Sequence, residues 1–249
     1  MEAIVPPDNA PGAPSPGRVE KLLLRWLGKD AEISAVDVWS DRFRLIELQG
    51  DALREVAWTA GQKIQVALGG MRVARTYTPI AWDSVRGSTR FLVFLHGAAP
   101  GSDWARTAAP GAPCQIIGPR RSVDLGSGHA PIVLVGDETA FGLAAALRHA
   151  HPERQLTVLL EAGNPQECKP IIERLGLADA LLVQRQADEA HLSAIQAHAT
   201  AQAHTEAVFV LTGRASAIQH VQRALKQHGV RPSRWHAKAY WALGKTGLD

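Results

Sequence analysis

After Gly126 the chain alternates strictly between apolar runs of strand length and amphipathic segments of helix length. APIVLVG leads into ETAFGLAAALRHA, QLTVLLE into NPQECKPIIERLG, ALLVQ into DEAHLSAIQAHATA, and AVFVLTG into RASAIQHVQRALKQHG. Parallel neighbours need a crossover between them, so this alternation predicts a parallel sheet with helical connections. The unbroken apolar runs IVLV and VFVL suit strands covered on both faces.

Upstream the rhythm differs. Between Ala31 and Leu125 lie AEISAVDVW, RFRLIEL, KIQVAL, RVARTYTPI, RFLVFLH and CQIIG, several alternating apolar and polar side chains and separated by turn residues. That is the period of half-buried antiparallel strands, and five or six of them over this length predict a small barrel. The fold class is therefore a β-barrel plus an α/β unit: an antiparallel barrel followed by a parallel-sheet domain. Residues 18–27 (RVEKLLLRWL) fit a short helix or a first strand equally well. Residues 1–17, with five prolines, read as a flexible lead-in. The expected domains are 18–127 and 128–249, joined at the flexible stretch GSGH over 126–129.

Composition bounds the classes. Of 249 residues 46% are hydrophobic and 20% charged, which excludes a disordered or collagen-like chain. No run of about 18 apolar residues exists and the N-terminus lacks a charged-then-apolar signal, so we expect no membrane insertion and no secretion. Two cysteines, Cys114 and Cys168, make no disulfide framework and read as packing residues in a cytoplasmic protein. His149, His151, His191, His198 and His204 lack partners at metal-ligand spacing and read as helix-surface residues, so no metal site is expected. No G-x-S-x-G nucleophile motif is present. Gly213 to Asp249 holds seven Lys and Arg against one acid, +6, leaving −3 for the rest. This end suits an anionic ligand; without a recognised motif it is not read as binding nucleic acid. Nothing in the pattern assigns an oligomeric state.

Several short stretches carry chemistry. Arg75-Thr76-Tyr77-Thr78 ends a strand with a phosphate-pairing guanidinium, a ring and a hydroxyl. His96-Gly97 closes another strand, and Ser102 is placed to cap a short helix, SDWARTA, containing Trp104. The turn Gly118-Pro119-Arg120-Arg121-Ser122 offers phosphate donors. Ile132 to Val135 runs into Gly136-Asp137-Glu138-Thr139, where glycine permits a close turn and Thr139 can cap the helix that follows. Lys238-Ala239-Tyr240-Trp241, then Gly244-Lys245-Thr246-Gly247, combine charge with adjacent rings.

The first block resembles the R-x-Y-[ST] motif of the ferredoxin reductase superfamily. The series as a whole resembles the siderophore-interacting protein family, which carries R-x-Y-T, a strand ending H-G, G-P-x-S-x-W-A, P-G-D, G-P-x-G-S, G-D-E-T-[SA] and K-x-Y-W-x-x-G in that order. The matches are Arg75 to Thr78, His96-Gly97, Gly101 to Ala105, Pro110-Gly111, Gly118-Pro119 with Ser122, Gly136 to Ala140, and Lys238 to Trp241. Two positions depart: the family often has glycine at Arg121 and a basic residue at Ile80.

The resemblance implies a ferredoxin-reductase-like fold and an FAD-dependent ferric-siderophore reductase, with NADPH or NADH passing a hydride to FAD and single electrons then reaching Fe(III). It assigns Tyr77 and Thr78 to the flavin ring as catalytic residues. Arg75, His96, Gly97, Ser102, Trp104, Gly118, Arg120 and Ser122 would bind FAD, and Trp241 would cover it. Gly136, Asp137 and Thr139 would border the nicotinamide nucleotide. Lys63, Lys238 and Arg234 would attract a ferric siderophore. Glu161, ending the second α/β strand, stands where an acid can accept from an adenosine ribose, although arginines nearby could serve a 2′-phosphate instead. A related flavin or ferredoxin-type reductase with another acceptor, and a non-enzymatic module binding a flavin or an iron chelate, stay open as alternatives.

Overall fold

The computed structural model describes residues 28–68, 73–125 and 128–244. The lead-in expected over 1–17, the segment 18–27, Gly126 and Ser127 of the joint, and Lys245 to Asp249 lie outside the described residues.

Among the described residues seven strands build the first sheet: β1 (Gly28–Val38), β2 (Phe43–Gln49), β3 (Lys63–Ala67), β4 (Ala74–Tyr77), β5 (Pro79–Asp83), β6 (Ser88–Phe94) and β7 (Pro113–Arg120). They pair antiparallel in the order β4-β3-β7-β1-β2-β6-β5. β4 and β5 end opposite sides of that order, yet only Thr78 separates them in the chain. The sheet must therefore curl until its ends meet. At the seam Tyr77 of β4 stacks on Phe91 of β6 at 4.8 Å. The expected strand RVARTYTPI is in fact two, because Pro79 has no N–H to continue the β3–β4 ladder. The alternating residues Ile64, Val66, Phe91, Val93 and Ile116 fill the interior. One helix, α1 (Pro100–Thr107), lies between β6 and β7.

The second sheet contains β8 (Ile132–Gly136), β9 (Leu156–Ala162), β10 (Leu181–Gln184), β11 (Val208–Arg214) and β12 (Trp235–Trp241), all parallel in the order β10-β9-β8-β11-β12. The connecting helices are α2 (Phe141–Ala150), α3 (Pro165–Arg174), α4 (Leu192–Thr200) and α5 (Ala215–Gln227). Ile132 and Leu134 of β8 enter the core beneath α2 and α3, whereas Val133 and Val135 enter the core beneath α4 and α5. Both faces of the strand are buried, as its unbroken apolar run requires. The four expected strands are joined by a fifth: WHAKAYW, read as an aromatic and basic tail, pairs along β11 as an edge strand.

The two sheets share a core. Phe43 of the barrel stacks on Phe141 of α2, ring centroids 5.5 Å apart and planes 3° from parallel. Ile80, only 4% exposed, packs into the same cluster. Around this apolar centre, Ser40 and Arg42 both donate to the Glu167 carboxylate on α3, at 2.7 and 2.9 Å.

Candidate functional site

A cavity of about 280 Å³ opens where the barrel seam meets the parallel sheet. Lys63, Arg75, Tyr77, Thr78, His96, Ser102, Ser122, Thr139, Lys238 and Trp241, all singled out in the sequence, line it together. They arrive from β3, β4 and the residue after it, the turn after β6, the start of α1, the turn after β7, the turn before α2 and β12.

β4 supplies the floor. Tyr77 is bedded on Phe91, and its burial raises the hydroxyl pKa above the ordinary tyrosine value against the pull of Arg75. The phenol stays protonated. Gly101 brings the first turn of α1 against this pair: a Cβ there would lie 3.1 Å from Arg75 Cγ and 3.1 Å from Tyr77 Oη. The opening turn of a helix leaves backbone N–H groups without intrahelical partners, which suits an anion beside Arg75. Ser102 does not cap this helix as expected. The helix begins earlier, after Ala99 and with Pro100 at its first turn, so the serine lies inside it. Its Oγ accepts from the His96 backbone N–H at 3.1 Å and donates to the His96 carbonyl at 3.2 Å, holding the 96–102 turn closed.

Burial and the neighbouring Arg75 guanidinium lower the pKa of His96, favouring a neutral imidazole. On the opposite wall burial pushes the Tyr240 hydroxyl to about 12, against a hydrogen bond with Thr78. Among the described residues the lining thus holds Lys63, Arg75 and Lys238, no Asp or Glu, and a band of apolar and ring surface from Leu92, Phe94, Tyr77, Tyr240 and Trp241. Such a lining suits a flat, anionic ligand.

Leu92 and Phe94 were missed in the sequence. Their signal was there: in RFLVFLH both faces of an antiparallel strand are apolar, Phe91, Val93 and Leu95 inward and Leu92 and Phe94 outward, so the outer face needs a cover. Gly101 opens a block matched in the sequence, whereas Gly142 had no legible signal; at both, what matters is the backbone approach that the lack of a side chain permits.

Other expected residues stand elsewhere. Trp104 packs beneath the seam, its ring 6.3 Å from Tyr77 and 6.4 Å from Phe91. The Gly97 carbonyl accepts from Arg106 at 3.2 Å. Gly118, at φ +120°, passes over the Lys63 carbonyl, where a Cβ would come within 2.9 Å. Arg120 donates to Gln65, and Arg121 pairs with Asp124 at 2.8 Å. Arg234, expected to attract substrate, does not line the cavity: its guanidinium donates to the carbonyls of Ala203, Thr205 and Ala207 and lies over the Phe209 ring. Ile80 is interior and presents nothing to the cavity. Among the described Lys and Arg residues of the basic C-terminal segment, only Lys238 lines the cavity.

At the strand-to-helix turn Gly136 and Asp137 lie behind the cavity wall. Thr139 does not cap the helix. Asp137 caps the single turn Glu138–Ala140 that precedes it, accepting from the Thr139 N–H at 2.9 Å and from the Thr139 hydroxyl, and Thr139 lines the cavity.

Glu161 is likewise closed to a ribose. Arg214 grips both carboxylate oxygens at 2.7 Å, His191 Nε2 lies 2.6 Å away and Arg185 Nε 3.3 Å. Burial alone would raise the Glu161 pKa; hydrogen bonds from Arg214 and His191 outweigh it and hold the carboxyl below its usual range. His191 is thus buried, contrary to the surface position expected. Its Nδ1 faces the Gln186 N–H at 3.2 Å, which leaves the proton on Nε2 for Glu161. Among the described residues no group of three or more His, Cys, Asp or Glu is arranged to hold a metal ion, and no helix is long and apolar enough to cross a membrane.

Comparison with known proteins agrees with this geometry. Residues 49–123 match the siderophore-interacting FAD-binding domain and residues 129–244 match the siderophore-interacting protein domain. An NADPH-dependent ferric-chelate reductase of Escherichia coli (strain K12) is 27% identical over 176 residues, spanning 68% of this chain and 66%, just under two thirds, of that protein. The siderophore-interacting protein SipS from Aeromonas hydrophila superimposes with a TM-score of 0.68 at 19% identity, covering 86% of this chain and 98% of that one. A ferredoxin reductase of carbazole 1,9a-dioxygenase superimposes with a TM-score of 0.71 at 17% identity, covering 86% and 69%. The barrel and the parallel sheet form a ferredoxin-reductase-like fold, and because both are matched by the two domains of one family, in order and around a shared cavity, the chain belongs to the siderophore-interacting protein family.

Proposed function

We propose that this chain is an NAD(P)H-dependent, FAD-containing reductase of ferric siderophores, acting in the cytosol to release iron as Fe(II). The observation that carries the reading is the cavity lining: among the described residues, three Lys and Arg and no acid around a band of rings, at the junction of an FAD-binding domain with a parallel sheet.

The residues fit FAD. Arg75, the first turn of α1 and Ser122 offer charge and donors to a diphosphate, while Tyr77, Phe94 and Trp241 offer flat surface to a ring system. When bound, FAD supplies the relay between a two-electron nicotinamide donor and a one-electron metal acceptor. Thr78 presents its hydroxyl at the seam, where Tyr240 orients it. Thr139 meets the nicotinamide nucleotide from the α/β side, and the relative's name favours NADPH as that nucleotide. Lys63 and Lys238 draw an anionic ferric chelate to the cavity mouth. One NAD(P)H reduces two Fe(III) to Fe(II) with release of one proton, and no protein acid or base is required. Hard oxygen ligands hold Fe(II) far less tightly than Fe(III), so the reduced iron leaves.

The test is anaerobic absorbance. FAD is added to the chain, then NADPH or NADH, then a ferric siderophore with a ferrous trap. Bleaching of the flavin bands by a nucleotide and their return on adding the iron complex is the expected result. Failure to bind flavin sinks the reading.

A further inference from the structure

Asp137 is buried at the turn between β8 and α2 and forms no part of the cavity lining. Its Oδ1 accepts from the Thr139 backbone N–H at 2.9 Å and from the Thr139 hydroxyl, and its Oδ2 accepts from Trp241 Nε1 at 2.7 Å. Gly213, at φ +92°, closes another side, since a Cβ there would fall 2.6 Å from the carboxylate carbon. Both oxygens are engaged within the chain, and one of them reaches a ring that lines the cavity.

That ring sits where β12 leaves regular pairing. Gly213 pairs with Ala239 but Arg214 with Trp241, so Tyr240 is an extra residue on the edge strand. Regular alternation would put Tyr240 and Trp241 on opposite faces; across this bulge both reach the cavity. A bulge interrupts the ladder, so the direction of the indole needs another hold. Arg185, pinned by Glu138 and Glu161, lies over its face at 5.6 Å, and Asp137 fixes its edge.

We propose that Asp137 is a positioning residue that acts through Trp241: it sets the orientation of the indole against the ligand in the cavity and touches neither flavin nor nucleotide itself. The proposal rests on the reading that the cavity takes FAD.

Wild type, Asp137→Asn, Trp241→Phe and the double variant test it. Two quantities are followed: hydrogen exchange of the Trp241 indole N–H in the chain without flavin, and the fluorescence and affinity of added FAD, whose emission a neighbouring indole quenches. In Asp137→Asn the indole proton exchanges about tenfold faster, the equivalent of one hydrogen bond to a charged group, and bound-FAD fluorescence rises. Trp241→Phe, which keeps a ring but loses the donor, also raises it, and Asp137→Asn then adds nothing.

Equal effects of Asp137→Asn with and without Trp241 would overturn the proposal, because Asp137 would then act on the ligand or on the fold directly. Unchanged indole exchange overturns it too. A wild type that binds FAD, with Asp137→Asn leaving its fluorescence unaltered, defeats this proposal alone; a wild type that binds no FAD defeats the functional reading and this proposal together.

Discussion

Arg42, in the turn between the first two barrel strands, donates through Nε to Glu167 on α3 at 2.9 Å, and the two side chains tie the barrel to the parallel sheet. Ser40 takes the other oxygen of the same carboxylate, and the Arg42 guanidinium also lies 5.0 Å over Phe94, a ring of the cavity wall. Replacing Glu167 with alanine removes both hydrogen bonds and costs about 1–2 kcal/mol, a fall of several degrees in Tm at this chain length. Thermal unfolding at low and high salt checks it. The pair is partly exposed, so the deficit narrows as salt screens it.

Arg75→Ala removes the cation that the cavity floor presents to a diphosphate. FAD affinity falls about 10–100-fold, the range of a charge-assisted hydrogen bond, by fluorescence titration. Lys238→Ala acts differently: the KM for ferric chelate rises while FAD affinity holds. If both variants match wild type, the cavity assignments are wrong.

Gly101→Ala separates site from fold. The added methyl meets Arg75 and Tyr77 at 3.1 Å and displaces them, yet alanine is at ease in a helix. Gly101 is itself buried, so crowding of about 1–3 kcal/mol opposes a gain of about 1 kcal/mol in helix propensity, and Tm falls by no more than several degrees while FAD affinity drops.

Glu161→Gln leaves Arg214 and His191 facing a neutral amide in a buried site. Breaking such a pair costs about 3–5 kcal/mol, read by chemical denaturation. The ratio of kcat/KM for NADPH and NADH stays as in wild type, because neither Glu161 oxygen is free for a ribose. A switch in nucleotide preference would restore the ribose-binding role expected from sequence.

The pH dependence of stability isolates Asp137. Burial pushes its pKa from 3.8 to about 6, against hydrogen bonds from Thr139 and Trp241. The folded chain therefore holds this proton more tightly than the unfolded chain, and stability falls as pH rises from about 4 through about 6. Glu161 contributes with the opposite sign, its stabilisation being lost as pH falls. Denaturation of wild type and Asp137→Asn at a series of pH values subtracts that contribution: the variant lacks the decline with rising pH.

Periodicity alone placed most of the elements. The unbroken runs around Val133 and Val210 suit strands covered on both faces, and the alternation in KIQVAL suits a half-buried antiparallel one, because side-chain spacing is local and burial enforces it. The ordered blocks from Arg75 to Trp241 likewise named most of the cavity lining. What the chain alone did not disclose depends on partners distant in sequence. Pro79 breaks a strand because the ladder with β3 needs an N–H it lacks. WHAKAYW becomes a strand because β11 offers it an edge. Arg234, Glu161 and Asp137 carried the right chemistry for ligands, and each is occupied instead by groups brought to it in folding: three carbonyls, two arginines with a histidine, and the indole of Trp241. Residue type sets what a side chain can bind; only the tertiary structure decides which partner reaches it first, since a buried charge or hydrogen-bonding group must be satisfied within the fold before it can serve anything outside it.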